Sequence, residues 1–283
     1  MNRIDKTFRD LAAANRKALI AYLTAGDPDF DASLSILRAA AASGADVLEL
    51  GVPFSDPTCD GPVIQAASER ALKSGMTLSK TFQLASLLRE TTQTPIILFS
   101  YYNPLFKYGL ARAAASARAA GIDGILVVDL PPEESAPLAT ALAPATPAEP
   151  PIHLIRLAAP TTRPERLEKL TRDAGGFLYL ISRAGVTGTG GIDYAEVSRH
   201  AQQVKSRCAS LPVCIGFGVS SFADAHALAP MSDGVIVGSA LVRLIAEASA
   251  TAADSANSAD TAALAERVAA KIRELREGLD SAE

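Results

Sequence analysis

Short apolar runs alternate along the chain with stretches of helical periodicity, and the rhythm recurs eight times. The runs are Ala18 to Ala25, Asp46 to Leu50, Pro95 to Tyr101, Gly124 to Asp129, Ile152 to Leu157, Phe177 to Ile181, Val213 to Gly216 and Gly234 to Gly238. Nearly continuous Val, Ile and Leu at this length predicts parallel strands covered on both faces. Between them lie amphipathic segments with the length of crossover helices, among them Phe30 to Ala42, Val63 to Lys73, Leu78 to Arg89, Pro164 to Arg172 and Tyr194 to Arg207. Thr77 and Ser221 stand at N-cap positions. Arg3 to Arg16 predicts an additional helix able to plug the N-terminal end of a barrel, and Thr261 to Leu279 an amphipathic terminal helix.

Eight such units without a G-x-G-x-x-G after the first strand predict a closed (β/α)8 TIM barrel over an open doubly wound sheet, which uses the same alternation. Two stretches break the rhythm. Ala143 to Pro151 (APATPAEPP) cannot be helical throughout because of its prolines, and Ala248 to Asp260 (ASATAADSANSAD) is a small-residue polar tract. Both are expected to be surface loops or linkers. No second core remains to be built, so residues 1–283 are read as one domain.

Composition narrows the function classes. A chain of 283 residues with 48% hydrophobic and 20% charged residues can bury a large core. The net charge of -4, with Lys and Arg scattered, argues against a nucleic-acid footprint. The charged stretch Met1 to Lys17 suits neither a signal peptide nor a membrane span, so a cytoplasmic protein is expected. Cys59, Cys208 and Cys214 form no C-x-x-C pair, and His153, His200 and His226 form no zinc or triad pattern. Acid-base work therefore falls to carboxylates.

Active sites of such barrels form at the C-terminal ends of the strands. In the second run, alternation puts Val47, Glu49 and Gly51 on one face and Leu48 and Leu50 on the other, which the helix layer would cover. Glu49 thus points into the barrel near its mouth, where an apolar setting raises a carboxylic acid's titration toward neutrality. The alternative is a structural hydrogen bond. The following loop, Gly51 to Gly61 (GVPFSDPTCDG), is long for its kind and carries Asp56 and Asp60. Asp60 is equally a catalyst or a helix cap, and Asp56 before Pro57 reads as structural.

Glycine-bearing segments follow the last three runs: Arg183 to Gly191 (RAGVTGTGG), Gly216 to Ser220 (GFGVS) and Gly238 to Ser239. Their backbone N–H groups can hold a phosphate without Lys or Arg, and the loop around Thr187 has the composition of a lid. Tyr22, Phe99, Tyr101, Tyr179 and Phe217 stand near strand ends, where a flat aromatic substrate could pack, although core filling explains any one of them. Cys59 has no histidine nearby in sequence and is read as a bystander.

With these residues in place, the chain resembles the tryptophan synthase alpha chain. The likeness rests on Tyr22 to Pro28 (YLTAGDP), Leu48 to Gln65 (LELGVPFSDPTCDGPVIQ), Tyr179 to Gly188 (YLISRAGVTG), Gly216 to Val219 (GFGV) and Val235 to Ser239 (VIVGS). It implies retro-aldol cleavage of indole-3-glycerol phosphate to indole and glyceraldehyde 3-phosphate. Glu49 and Asp60 fall on the family's two catalytic carboxylates, with Tyr179 beside Glu49 and Thr187 ordering the lid over Asp60. Gly188, Gly218, Gly238 and Ser239 would hold the phosphate, and Tyr22, Tyr101 and Phe217 would border the indole ring. The family keeps no cofactor in this chain. Its partner is a beta chain containing pyridoxal phosphate, in an alpha2-beta2 assembly, with Pro53, Asp56, Asn103 and Pro104 on the contacting surface.

The chain departs from the commoner pattern at several places. Thr58 and Cys59 stand where Leu-Ala is usual, Tyr22 where Phe is frequent, and Thr189 to Gly191 add glycine to the lid. Two rival readings follow: a stand-alone lyase that releases indole, and a regulatory subunit without catalysis. Pro53, Asp56 and Asn103 favour coupling over the first. Both carboxylates and Thr187 argue against the second.

Overall fold

The computed structural model describes residues 1–144, 146–172, 174–181, 193–208, 211–216, 218–251 and 258–282. Its strands are β1 (Ala18–Thr24), β2 (Val47–Gly51), β3 (Ile96–Ser100), β4 (Gly124–Val127), β5 (His153–Ala158), β6 (Leu178–Ile181), β7 (Val213–Gly216) and β8 (Gly234–Val237). They pair in sequence order, all parallel, and β8 returns to β1 through Ala18↔Gly234 to Ala21↔Val237. The sheet is a closed barrel, and the open-sheet alternative is excluded.

Alternation divides the side chains as the sequence predicts. Ala18, Ile20, Val47, Ile97, Leu126, Ile155, Tyr179, Cys214 and Ile236 fill the interior. Leu48 and Leu50 join the larger cluster between strands and helices. The opening helix, Arg3–Ala13, inserts Ile4, Phe8 and Leu11 into the interior cluster, with the Phe8 ring 5.5 Å from that of Phe177. It seals the end of the barrel away from the strands' C-termini. The helix stops at Ala13 and not at Arg16, because Asn15 adopts a left-handed conformation (φ 53°) that Asn tolerates after a helix.

At this closed end three aspartates repeat one device. Asp46, Asp123 and Asp233 each precede a strand and accept the backbone N–H of the preceding strand's first residues: Leu19 at 2.8 Å, Ile96 at 2.9 Å and Val213 at 2.8 Å. Each is matched by a cation: Arg276 on Asp46 at 2.8 Å, Arg3 and Arg89 on Asp123 at 2.9 and 3.0 Å, and Lys205 on Asp233 at 2.8 Å. Asp123 is the most buried of these carboxylates, its side chain 4% exposed. Removing one partner of such a pair strands the other charge, so Asp123→Ala is expected to destabilise the fold by about 3–5 kcal/mol. Urea unfolding measures this; a change within about 0.5 kcal/mol would mean that the network contributes nothing beyond an exposed pair.

The tract 248–260 is shorter as a linker than its composition implies. One helix runs from Ser239 to Thr251 and the terminal helix begins at Ser258, so both ends of the tract are helical and residues 252–257 lie outside the described set. The tract lacks Gly and Pro and is rich in alanine, the strongest helix former. Ser249 turns its hydroxyl back onto Ile245 O at 2.8 Å and so does not interrupt the helix. The terminal helix buries Leu264, Val268, Ile272, Leu275 and Leu279 at helical spacing. In the other tract, helix Ala136–Leu142 ends at the first proline-rich residues and the described part of 143–151 forms turns.

Candidate active site

β2 carries Glu49 to the level of Tyr22 on β1 and Ile97 on β3. The side chain is fully buried, and neither carboxylate oxygen has a hydrogen-bond partner among the described residues. The structural-hydrogen-bond alternative therefore has no support. Burial alone pushes the group's titration up to about 8, because an apolar setting opposes the charged form. At neutral pH Glu49 is a carboxylic acid, able to give a proton and then to take one.

Two buried tyrosines of the barrel, Tyr22 on β1 in register with Glu49 and Tyr179 on β6, each need a glycine beside them. A Cβ on Gly51 would lie 2.2 Å from the Tyr22 hydroxyl, and one on Gly216 would lie 2.4 Å from that of Tyr179. Both phenols are pushed well above their ordinary range, first by burial; after burial, the charge of Asp60 leads for Tyr22 and that of Glu49 for Tyr179. Tyr22 also meets Phe99 edge-on, ring centres 5.1 Å apart.

Asp60 is not a helix cap. The helix Pro62–Lys73 starts from Gly61 with no side-chain capping bond and Pro at its first turn, where a missing N–H is tolerated. The Asp60 carboxylate instead accepts the Tyr101 hydroxyl at 3.0 Å, and Tyr101 in turn accepts the Cys59 N–H at 2.9 Å. Burial raises Asp60 to about 6, opposed by the hydrogen bond from Tyr101. It is a carboxylate at neutral pH. The Phe54 ring, 5.2 Å from that of Tyr101, packs the loop against the same anchor.

A cleft of about 380 Å³ opens beside the ends of β4 to β6, lined in part by Val128, Ile155, Leu157 and Ile181 of the interior cluster. That volume suits a small organic ligand. None of Glu49, Asp60, Tyr22, Tyr101 and Tyr179 lines it.

Two helix N-termini follow the last two strands, and they differ. At helix Phe222–Leu228 the Asp224 carboxylate already takes the N–H groups of Ser220 and Ser221 at 2.9 and 3.0 Å, placing a negative charge there. At helix Ser239–Thr251 the N–H groups of Ser239 and Ala240 have no acceptor among the described residues. An anion is therefore better received at Gly238 and Ser239. Gly238 abuts the Tyr22 ring, which a Cβ would meet at 3.3 Å. Gly218 is exposed and left-handed, with φ 85°. Thr187, Gly188 and Phe217 lie outside the described residues.

At the rim, Asp56 and Asn103 are exposed, Pro104 is half-buried, and Pro53 is buried under the loop. Sequence reasoning passed over Phe106, 61% exposed and stacked on Tyr102 with ring centres 5.8 Å apart. It also passed over Thr24, whose buried hydroxyl has no partner among the described residues. Alternation from Tyr22 on β1 was the available signal for Thr24.

The model of the tryptophan synthase alpha chain family matches residues 8–275. The tryptophan synthase alpha chain of Desulfosudis oleivorans is 51% identical over 247 residues, covering 87% of this chain and 91% of that one. The crystal structure of tryptophan synthase subunit alpha from Legionella pneumophila superposes with a TM-score of 0.86 at 36% identity, covering 99% of both chains. Tryptophan synthase from M. tuberculosis, in an aminoacrylate-bound form, gives 0.83 at 33%, covering 99% of this chain and 100% of that one. This chain belongs to the tryptophan synthase alpha chain family, the lyase subunit that cleaves indole-3-glycerol phosphate.

Proposed function

We propose that Glu49 and Asp60 carry the retro-aldol cleavage, as proton carrier and counter-ion respectively. The observation that supports this is the split between them: Glu49 buried without a partner and raised to about 8, Asp60 held by Tyr101 and raised only to about 6. Environments that pull two carboxyls apart assign the acid and the anion. Glu49 protonates the indole carbon that bears the side chain, and the ring becomes cationic. Asp60 faces the ring N–H and balances that charge. Glu49, now a carboxylate, takes the proton of the side-chain hydroxyl as the carbon–carbon bond breaks, leaving indole and glyceraldehyde 3-phosphate and restoring its own proton. Tyr179 bounds Glu49, Thr187 serves the lid, and Tyr22, Tyr101 and Phe217 border the ring. Gly188, Gly218, Gly238 and Ser239 receive the phosphate.

Membership of the family implies a beta-chain partner. In our reading the assembly is alpha2-beta2, this chain needs no cofactor, and indole passes to a beta chain that carries pyridoxal phosphate. The exposed Asp56, Asn103 and Phe106 support a contact at the mouth, with Pro53 and Pro104 shaping the loops behind them. Among the described residues no helix is long and apolar enough to cross a membrane, in keeping with a cytoplasmic enzyme.

Indole release from indole-3-glycerol phosphate, followed across pH with and without a beta chain, tests both parts. The rate is expected to rise as pH climbs through about 6, when Asp60 ionises, and to fall above about 8, when Glu49 loses its proton. A profile flat across that window counts against the assignment. Equal rates with and without the partner would make the chain a stand-alone lyase.

A further inference from the structure

The loop after β7 carries Gly218, one of the residues to which the reaction above assigns the phosphate. Gly218 is exposed and left-handed, and its N–H has no acceptor among the described residues. An open donor of this kind binds an anion only as well as its loop is held, because ordering a loose backbone offsets the contact it makes. Gly216 fixes one side of the loop, in register with Ile181 and Ile236. Asp224 fixes the other. Its Oδ2 accepts the N–H groups of Ser220 and Ser221 at 2.9 and 3.0 Å and their hydroxyls at 3.0 and 2.9 Å.

The second oxygen of Asp224 goes to a different element. Tyr194, 30 positions earlier in the chain, donates its hydroxyl to Oδ1 at 2.7 Å. Tyr194 opens the helix Tyr194–Lys205, which buries Val197, Ala201 and Val204. At the far end of that helix Lys205 meets Asp233 at 2.8 Å, and Asp233 holds the N–H of Val213 where β7 begins. The helix is thus bonded to the foot of β7 at one end and to the loop beyond β7 at the other. Burial, then Asp224, raises the Tyr194 phenol to about 12, so it keeps the proton it donates. Burial opposes the charge on Asp224, yet Tyr194 and the two serines hold it below the ordinary carboxylate range. A hydrogen bond to such a charged acceptor is about twice as strong as one between neutral groups.

We propose that Tyr194 is a positioning residue for phosphate binding: its hydroxyl, bonded to Asp224, ties the Gly218 loop to the helix Tyr194–Lys205 and holds the Gly218 N–H in place for the substrate's phosphate. The inference rests on the phosphate reading above and deepens it. Asp224 is the joint through which Tyr194 acts.

Tyr194→Phe keeps the half-buried ring and removes only the hydroxyl. With the beta chain present, KM for indole-3-glycerol phosphate is expected to rise about threefold to tenfold. Inhibition by glycerol 3-phosphate, the phosphate-bearing half of the substrate, should weaken by the same factor. The kcat, and the binding of indole, which has no phosphate, stay near wild type. Asp224→Ala raises KM at least as much, and in that background Tyr194→Phe adds nothing further. A purely structural bond lowers Tm and leaves KM and the glycerol 3-phosphate inhibition alone, and that result for Tyr194→Phe overturns the proposal. So does an equal weakening of indole and glycerol 3-phosphate. If one variant fails to fold, the other decides by the same readouts. Wild-type protein that glycerol 3-phosphate does not inhibit defeats the phosphate reading itself, and the proposal falls with it before any variant is compared.

Discussion

Glu49→Gln is expected to remove indole formation and at the same time to make the protein more stable. Glutamine keeps the volume of the side chain but can neither deliver the proton to the ring carbon nor take one from the hydroxyl. General acid-base groups contribute about 10²–10⁴-fold each, and in the proposed assignment Glu49 serves in both directions, so turnover should fall to background. Binding of a phosphate-bearing substrate analogue should persist, because Gly238 and Ser239 are untouched.

The stability effect has a definite sign. Glu49 is raised from 4.5 to about 8 in the folded chain. Below pH 4.5 both folded and unfolded forms hold the proton, and the group imposes no penalty. Between that value and about 8 the unfolded chain releases its proton while the folded chain keeps it, so stability falls as pH rises through this window. Above it the loss is complete. The variant escapes the penalty, with a gain over wild type on the order of a few kcal/mol at the alkaline end. The difference should vanish in acid. Thermal midpoints at the two ends of the window read this out. Retained turnover would take Glu49 out of the reaction, and equal midpoints at alkaline pH would mean that it is not buried as a neutral acid.

Asp60→Asn is expected to lower kcat by about 10²–10³-fold, the loss found when one group stabilising transition-state charge is removed from a pre-organised site. Substrate binding should change far less, since the ring is neutral in the ground state. The acidic limb near 6 should also disappear, because no carboxylate remains there to protonate. Folding is a poor explanation for the loss: Gly61 caps the following helix without side-chain help, so asparagine has no cap to break. A rate within about tenfold of wild type would leave the ring charge to some other group.

Much of this was legible in the sequence, for reasons that can be named. Strand periodicity is a local signal, and it fixed the inward face of Val47 and Glu49 because β2 is covered on both sides. It also carried the barrel, since eight buried strands in sequence order leave no edge unpaired. Contacts between distant residues were not legible. The Tyr101 hydroxyl reaches Asp60 across 41 positions, and this bond, with Gly61 standing at the start of the next helix, is what argues against a cap. The same holds for Tyr22 over Gly51 and Tyr179 over Gly216, where each glycine, judged alone, was merely a strand end. The tract 248–260 misled in another way: its polar residues suggested a loop, while helix propensity and the apolar stripe from Leu264 onward extended helices into it from both sides.

The three aspartates at the closed end have a consequence for how such a chain changes over time. They anchor β1, β3 and β7 far from the reacting groups, and effects of well-separated sites add almost independently. Loops at the open end, such as the one bearing Thr58 and Cys59, can therefore drift without eroding foldedness. A mutant library confined to the exposed and half-buried residues 55–59 would be sorted by chemistry and partner fit, with few members lost to misfolding.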